Sequence, residues 1–139
     1  MPMIRDGLHQ ALKTYLKKWV LKEEALRKEI EQLVLDGKVP LENIKESIEV
    51  SKLKQKILTY MYNNNITKAE KNIDKLKQLY VELSDDLTFN PERCVTAVLD
   101  LNNTGRGWMD KSNDGSRKLL DEMKKNLEWF DKTIAFLKS

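Results

Sequence analysis

The chain has 139 residues, enough for one domain with a single hydrophobic core, and 34% of them are charged. Its 5 glycines and 3 prolines suit a helical protein more than a β-sandwich. Mean hydropathy is −0.60, but the apolar residues recur periodically, so we do not expect disorder. With one cysteine, Cys94, and one histidine, His9, the sequence excludes an intramolecular disulfide and argues against a zinc site of Cys and His.

The lone cysteine fits a reducing compartment, so we expect a cytoplasmic protein. No stretch approaches the ~18 apolar residues of a membrane span, and no N-terminal apolar run resembles a signal peptide. The net charge of +3 is uneven: residues 1–77 carry 16 Lys and Arg against 11 Asp and Glu, and residues 78–139 carry 9 against 11. The N-terminal half is therefore the basic one.

Residues 3–36 are predicted to form one long helix, because apolar residues recur at steps of three and four from Leu8 to Leu33. Gly37 ends this helix as a left-handed cap. At 1.5 Å per residue the helix would be about 50 Å long, longer than partners of about 30 Å. Its apolar stripe then overhangs the bundle at both ends, unless the helix breaks near Gly7 or Lys22.

A second helix is predicted over residues 41–62, with Pro40 where proline is tolerated and the run Asn63–Asn65 as a closing turn. A third helix is predicted over residues 68–87. Thr67 and Glu70 have the spacing of a capping box at its start. Its apolar residues again lie three and four apart, so they share one face that must be covered.

Asn90 and Pro91 predict another helix start, so residues 91–101 are taken as a helix. The β-branched part of this segment also suits a strand, but we see no second strand to pair with it. Residues 102–115 are expected to be irregular, and residues 116–138 return to helical spacing. The fold predicted for the single domain, 1–139, is an all-α antiparallel bundle of four to five helices.

Arg106 and Trp108 in the glycine-rich loop are the residue types that dominate binding hot spots, so we predict a partner-binding site there. A nucleobase would also stack on the indole. The alternative is that Trp108 folds back to cover the end of the bundle, as buried tryptophans commonly do.

The stretch after Trp108 matches part of a calcium-binding EF-hand loop, with oxygen ligands at positions one, three, five and twelve and a glycine at six. Position eight is Arg117, where the motif has an apolar residue, and position twelve is Asp instead of Glu. A polar turn is therefore preferred, and no metal or cofactor is expected. The residues of the calcium alternative are Asp110, Ser112, Asp114 and Asp121.

Lysines at helical spacing would form a basic strip if the faces of the first and third helices adjoin, and phosphates are the natural partner of such a strip. Acids such as Glu23, Glu24 and Glu70 are interspersed, so an ordinary solvated face is the preferred interpretation. The lysines concerned are Lys13, Lys17, Lys18 and Lys22 on the first helix and Lys68, Lys71 and Lys75 on the third.

Catalysis has little support in the sequence. His9 lacks the Glu at a three-residue spacing that a di-iron bundle needs, and Cys94 lies in a largely apolar segment. The carboxylates are expected on exposed faces, with no pair set apart for acid–base chemistry. We therefore predict no enzyme.

The expected function is a non-enzymatic protein–protein interaction or adaptor protein that self-associates through helix faces, as coiled coils do, with a homodimer covering the overhang of the first helix. The identity of any other protein partner does not follow from the sequence. The alternative is a small nucleic-acid-binding accessory protein that uses the lysine-rich helices. No membrane partner is expected.

Overall fold

The computed structural model describes residues 2–85, 96–99, 107–110 and 118–139, with side chains over residues 7–85 and 119–139. Helix α1 spans Pro2–Leu35, α2 Lys45–Tyr62, α3 Ile66–Asp85 and α4 Lys118–Lys138, with a short 3-10 turn at Leu41–Asn43. Strands β1, Thr96–Leu99, and β2, Gly107–Asp110, precede α4.

The fold is an all-α helical bundle, as the sequence predicts. Helix α2 packs against both α1 and α3, and α3 packs against α4. The apolar faces of all four helices meet in one core, which covers the apolar face predicted for α3. Within the described residues, no helix is long and apolar enough to cross a membrane.

Helix α1 is unbroken over its 34 residues, which contradicts the alternative break near Gly7 or Lys22. Gly37 follows it with a φ of 71°, the left-handed conformation that a glycine adopts without strain, which confirms the predicted cap. The backbone N–H of Lys38 then donates to the Leu33 carbonyl at 2.9 Å, which reverses the chain.

The chain after Gly37 covers the C-terminal end of α1. Ile30 and Leu33 are buried against Ile44 in a small second apolar cluster, with Val39 and Ile48 at its edge. The predicted overhang at this end is therefore wrong. Its covering comes from the return segment of the same chain, which continues the apolar pattern into α2.

Two predicted helix starts are shifted. Pro40 precedes the 3-10 turn, and α2 itself begins only at Lys45. Helix α3 begins at Ile66, where the Asn65 side-chain oxygen accepts a hydrogen bond from the Lys68 backbone N–H at 3.3 Å. Asn65 therefore takes the capping position that we assigned to Thr67.

The predicted helix over residues 91–101 is wrong where the structure describes it, because residues 96–99 form β1. This strand pairs antiparallel with β2, with Val98 opposite Trp108 and Ala97 opposite Met109. The missing partner strand lies inside the stretch 102–115 that we predicted to be irregular. Pairing with β2 supplies the hydrogen bonds that β1 would lack as a single strand. Both strands contact α1.

Aromatic rings join α4 to α1 across the core. The Trp19 and Phe130 rings stack at 5.7 Å between centroids, and Trp19 also meets Trp129 edge-on at 5.2 Å. Tyr15 contacts Trp129 at 5.6 Å. These large side chains hold the two helices together through their rings, and Phe130 is completely buried among them.

Candidate functional site

The predicted partner-binding pair is only partly described. Trp108 lies in β2 and is paired with Val98, so it belongs to a strand and not to an irregular loop. Arg106 lies outside the described residues. Partner binding by this pair stays a prediction.

The calcium alternative is also only partly described. Asp110 is the last residue of β2, and Asp121 lies in the first turn of α4, where it is exposed. An EF-hand loop follows a helix, whereas a strand leads into this one. Ser112 and Asp114 lie outside the described residues, so the calcium site is not tested.

The structure separates the two groups of lysines. Helices α1 and α3 both pack on α2 instead of adjoining one another extensively, so Lys17, Lys18 and Lys22 do not form one strip with the lysines of α3. Lys13 lies over the Tyr62 ring at 5.7 Å and Lys68 over the Tyr60 ring at 5.8 Å. These two lysines flank the C-terminal end of α2, where the helix dipole favours positive charge.

Among the lysines of α3, Lys75 lines a groove between α2 and α3, which we call the α2–α3 groove. It has a volume of about 460 Å³ and a floor of Leu53 and Leu79. Lys75 lies in its wall together with Lys52 and Lys56 of α2. Because the antiparallel helices meet at the Asn63–Asn65 turn, these lysines lie nearer the turn. The acids of the groove, Glu49 and Glu82, lie farther from it.

A buried ion cluster, which sequence reasoning missed, joins three helices. The Lys54 ammonium of α2 lies 3.4 Å from a Glu23 carboxylate oxygen of α1 and 3.5 Å from one of Glu122 on α4. Lys54 is only 3% exposed and Glu23 only 5%. The Trp19 indole N–H donates to the other Glu23 oxygen at 3.0 Å. The expectation that the carboxylates lie on exposed faces is therefore wrong for this pair.

The pKa values in the cluster follow from one cation serving two carboxylates. Burial by itself lowers the pKa of Lys54, but the charges of Glu122 and Glu23 outweigh it, so the pKa of Lys54 is raised. Burial raises the pKa of Glu122, and the charge of Glu23 raises it further, while Lys54 lowers it only in part. The pKa of Glu122 is therefore raised.

This ion cluster has little room for a substrate. The cavity beside it measures about 20 Å³, little more than the volume that one water molecule needs, about 10–15 Å³ by the same measure. The sequence does contain a signal for the ion cluster, which is a lysine at a core position of α2. Lys54 stands between the buried Val50 and Ile57, at helical spacing from both. A lysine at such a position indicates a buried partner, though the sequence does not say which one.

A larger cavity of about 340 Å³ opens at the end of the bundle where α2 turns into α3, and we call it the end cavity. Leu16 and Met61 form its fully buried floor. Among the described side chains, its polar wall carries one cation and no carboxylate. The residues around it are His9, Gln10, Leu12, Lys13, Leu16, Met61, Asn64 and Leu137.

His9 is one of the residues that line the end cavity. Its ring meets Phe136 of α4 edge-on at 4.9 Å, and its Nε2 atom is buried without a hydrogen-bond partner. Sequence reasoning considered His9 only as a metal ligand. Its position in a cavity depends on α2 and α4, which no pattern around residue 9 reveals.

Comparison of the chain with protein-family models, with curated proteins and with solved structures finds no match.

Proposed function

We propose that the protein is a non-enzymatic interaction protein that self-associates through the N-terminal end of α1. One observation carries the proposal: the apolar stripe of α1 continues beyond the bundle. Leu16 is 1% exposed, Leu12 is half-buried, and Leu8 is 53% exposed. These three leucines are four residues apart, so they lie along one side of the helix.

The bundle ends near residue 9 of α1. The ring of His9 meets Phe136 close to the C-terminal end of α4, and Lys13 lies over Tyr62 at the end of α2. The helix nevertheless continues back to Pro2. Its first two turns, residues 2–8, therefore extend past the described ends of α2 and α4.

A second copy is the occupant that we propose for this stripe. Two such helix ends packed side by side about a twofold axis would each cover the leucine of the other, and an isologous contact closes after two copies. An exposed leucine in line with a buried stripe is typical of such helix pairs. Because the return segment after Gly37 covers the apolar stripe at the C-terminal end of α1, the contact with a second copy is restricted to the N-terminal end.

Changing Leu8 to Asp is expected to convert a dimer into a monomer, as measured by sedimentation equilibrium at tens of micromolar. In the dimer contact the Asp carboxylate would lose its hydration, which opposes association. In the monomer the carboxylate lies near the start of a helix, where a negative charge interacts favourably with the helix dipole. The variant should therefore keep the helix content of the wild-type protein, while its thermal midpoint should no longer rise with protein concentration.

The matched control is Leu35→Asp, which changes an even more exposed leucine at the other end of α1. This variant should sediment as the wild-type protein does. A wild-type protein that stays monomeric at these concentrations, or a Leu35→Asp variant that loses the dimer equally, contradicts self-association through the N-terminal end.

Nucleic-acid binding is the second candidate, and the α2–α3 groove is the observation that favours it. Lys52, Lys56 and Lys75 line the groove, and Lys71 precedes Lys75 by one turn of α3. All four are exposed, and none of them makes an ion pair with another described residue. Phosphates are suitable partners for such lysines. The acids at the far end of the groove oppose a long polyanion, so this function ranks second.

Duplex DNA binding, measured by fluorescence anisotropy across a salt series, tests the second candidate. If phosphates are bound, the log–log slope should be about −0.9 for each phosphate neutralised. Lys71→Glu combined with Lys75→Glu should abolish binding, and Lys124→Glu combined with Lys125→Glu on α4 should leave it intact. Absence of binding at low salt eliminates this candidate.

A further inference from the structure

We propose that the α2–α3 groove binds an amphipathic helix of a protein partner, whose acidic first turns face the lysines and whose apolar ridge contacts the leucine floor. This goes beyond self-association through α1, because it gives the protein a second surface for a partner of defined chemistry. A helix also fits the groove better than the polyanion of the second candidate function, for reasons of apolar surface and charge.

The two helices present the same set of side chains to the groove. Each contributes one glutamate, one leucine and one lysine at steps of four and three, so the three side chains lie on one helix face. These residues are Glu49, Leu53 and Lys56 on α2 and Lys75, Leu79 and Glu82 on α3. Because the helices are antiparallel, the lysine of each lies nearer the turn that joins them and the glutamate lies farther from it.

The floor of the groove is apolar and can be reached from outside. Leu53 and Leu79 are half-buried, because they pack against the hydrophobic core on one side and line the groove on the other. A groove between two helices takes the ridge of a third helix, whose apolar residues three and four apart enter it as anchors. The same groove of a second copy would not fill it, since two concave surfaces leave a void between them.

The charges along the groove give the partner helix a direction. On α2, Lys56 lies seven residues from Glu49, and on α3 Lys75 lies seven residues from Glu82. Each separation is about 10 Å along the helix axis. A partner with acids at one end and bases at the other therefore matches both ends of the groove. Because a helix favours acids at its N-terminus and bases at its C-terminus, the N-terminus of the partner lies towards the Asn63–Asn65 turn.

The charged side chains of the groove are available to a partner. All three lysines and both glutamates are exposed, and none of them makes an ion pair with another described residue. The Gln78 side-chain amide donates to a Glu82 carboxylate oxygen at 3.2 Å, which orients that carboxylate. A polyanion would be repelled by both glutamates and would leave the leucines without apolar contacts. A helix that carries both signs of charge and an apolar ridge meets neither cost.

A synthetic helical peptide of about 16 residues is the probe for the test, long enough to form a helix. It carries glutamates in its first two turns, leucines three and four apart along one face, and lysines in its last two turns. Its binding to the full chain, measured by fluorescence anisotropy of a label on the peptide, should be saturable. A peptide with glutamine in place of the leucines should bind about 10-fold more weakly or worse, because apolar burial is lost. A peptide with glutamine in place of the glutamates should bind about 3-fold to 10-fold more weakly, with a difference that shrinks as salt is added.

Lys56→Glu combined with Lys75→Glu should weaken binding of the probe about 10-fold or more, because repulsion replaces attraction. A charge-swapped peptide, with lysines in place of the N-terminal glutamates, should bind this variant more tightly than it binds the wild-type protein. A variant that had merely lost its fold would not recover binding in this way. Lys124→Glu combined with Lys125→Glu, which are exposed on α4, is the matched control and should bind the probe as the wild-type protein does.

Leu79→Gln should weaken binding of the probe about 10-fold while the helix content is retained, because a polar side chain replaces part of the apolar floor. Its matched control is Val81→Gln, which changes an exposed residue of α3 that does not line the groove. The control variant should bind the probe with the affinity of the wild-type protein.

Three results would overturn the proposal: no saturable binding of the probe, equal affinity for the peptide without leucines, or a double lysine variant that the charge-swapped peptide does not restore. Duplex DNA that binds these lysines more tightly than the probe would also refute the helix, while supporting the second candidate function. The probe should bind the Leu8→Asp variant as it binds the wild-type protein, so a failure of self-association leaves this proposal standing. A probe that binds only the Leu8→Asp variant would show that a second copy occupies the groove, which contradicts the proposal.

Discussion

Lys54→Met is expected to lower the free energy of unfolding by about 3–5 kcal/mol at neutral pH, the usual cost of removing one partner from a buried ion pair. The wild-type ammonium is shared by Glu23 and Glu122, at 3.4 and 3.5 Å. The variant keeps the apolar stem but leaves the buried Glu23 carboxylate and the partly buried Glu122 carboxylate without a cation. Urea unfolding followed by circular dichroism measures the loss.

The loss should depend on pH, with a sign that follows from Glu122. Its pKa in the folded protein is raised from the ordinary value of 4.5, so the protonated form is favoured on folding. The stability that this group contributes is therefore fully present below about 4.5 and is lost as pH rises through the raised pKa. In Lys54→Met the pKa of Glu122 loses the lowering effect of the ammonium and rises further.

The cost of Lys54→Met should accordingly be smaller in acid than at neutral pH, because protonation of Glu122 removes one of the two unpaired negative charges. Glu122→Gln removes the same charge permanently and should cost less than Lys54→Met. Because glutamine does not titrate, the contribution of position 122 to the free energy of unfolding should no longer vary with pH in this variant.

Lys56→Met is the matched control for the charge change, since Lys56 is exposed two residues further along α2. It should alter the free energy of unfolding by no more than about 0.5 kcal/mol, as exposed substitutions generally do. If Lys54→Met changes the free energy of unfolding as little as Lys56→Met does, the ion pairs of Lys54 do not stabilise the folded protein, which contradicts the prediction.

Phe130→Ala is expected to lower the free energy of unfolding by about 3–5 kcal/mol, the usual range for truncating a buried aromatic residue. The Phe130 side chain is completely buried and stacks on Trp19 at 5.7 Å. Its removal leaves a cavity between α1 and α4 and loses the ring contacts that join these helices. The measurement is again urea unfolding, with tryptophan fluorescence as a second probe.

Phe130→Leu keeps most of the apolar volume and should lose less than the alanine variant. Val81→Ala, which shortens an exposed side chain on α3, should stay within about 0.5 kcal/mol of the wild-type protein. An alanine variant at position 130 that unfolds like Val81→Ala would mean that α4 packs through another face.

The helices could be predicted from sequence because their signals are local. Apolar residues three and four apart define a helix face whatever lies opposite it, and Gly37 ended α1 as predicted because its left-handed conformation depends on its immediate neighbours. The start of α3, which was misplaced, is also set by a local signal. Asn65 and Thr67 are both suitable caps, and the spacing alone did not decide between them.

The sequence by itself therefore determined the all-α class, the long first helix and the positions of the four described helices to within a few residues. Only the tertiary structure decided which surfaces are covered and which charges meet. The return segment covers Leu33, β2 pairs with β1, and Lys54 joins carboxylates from two other helices. Each of these depends on residues distant in the chain, and burial and pairing are properties of the neighbours that folding supplies.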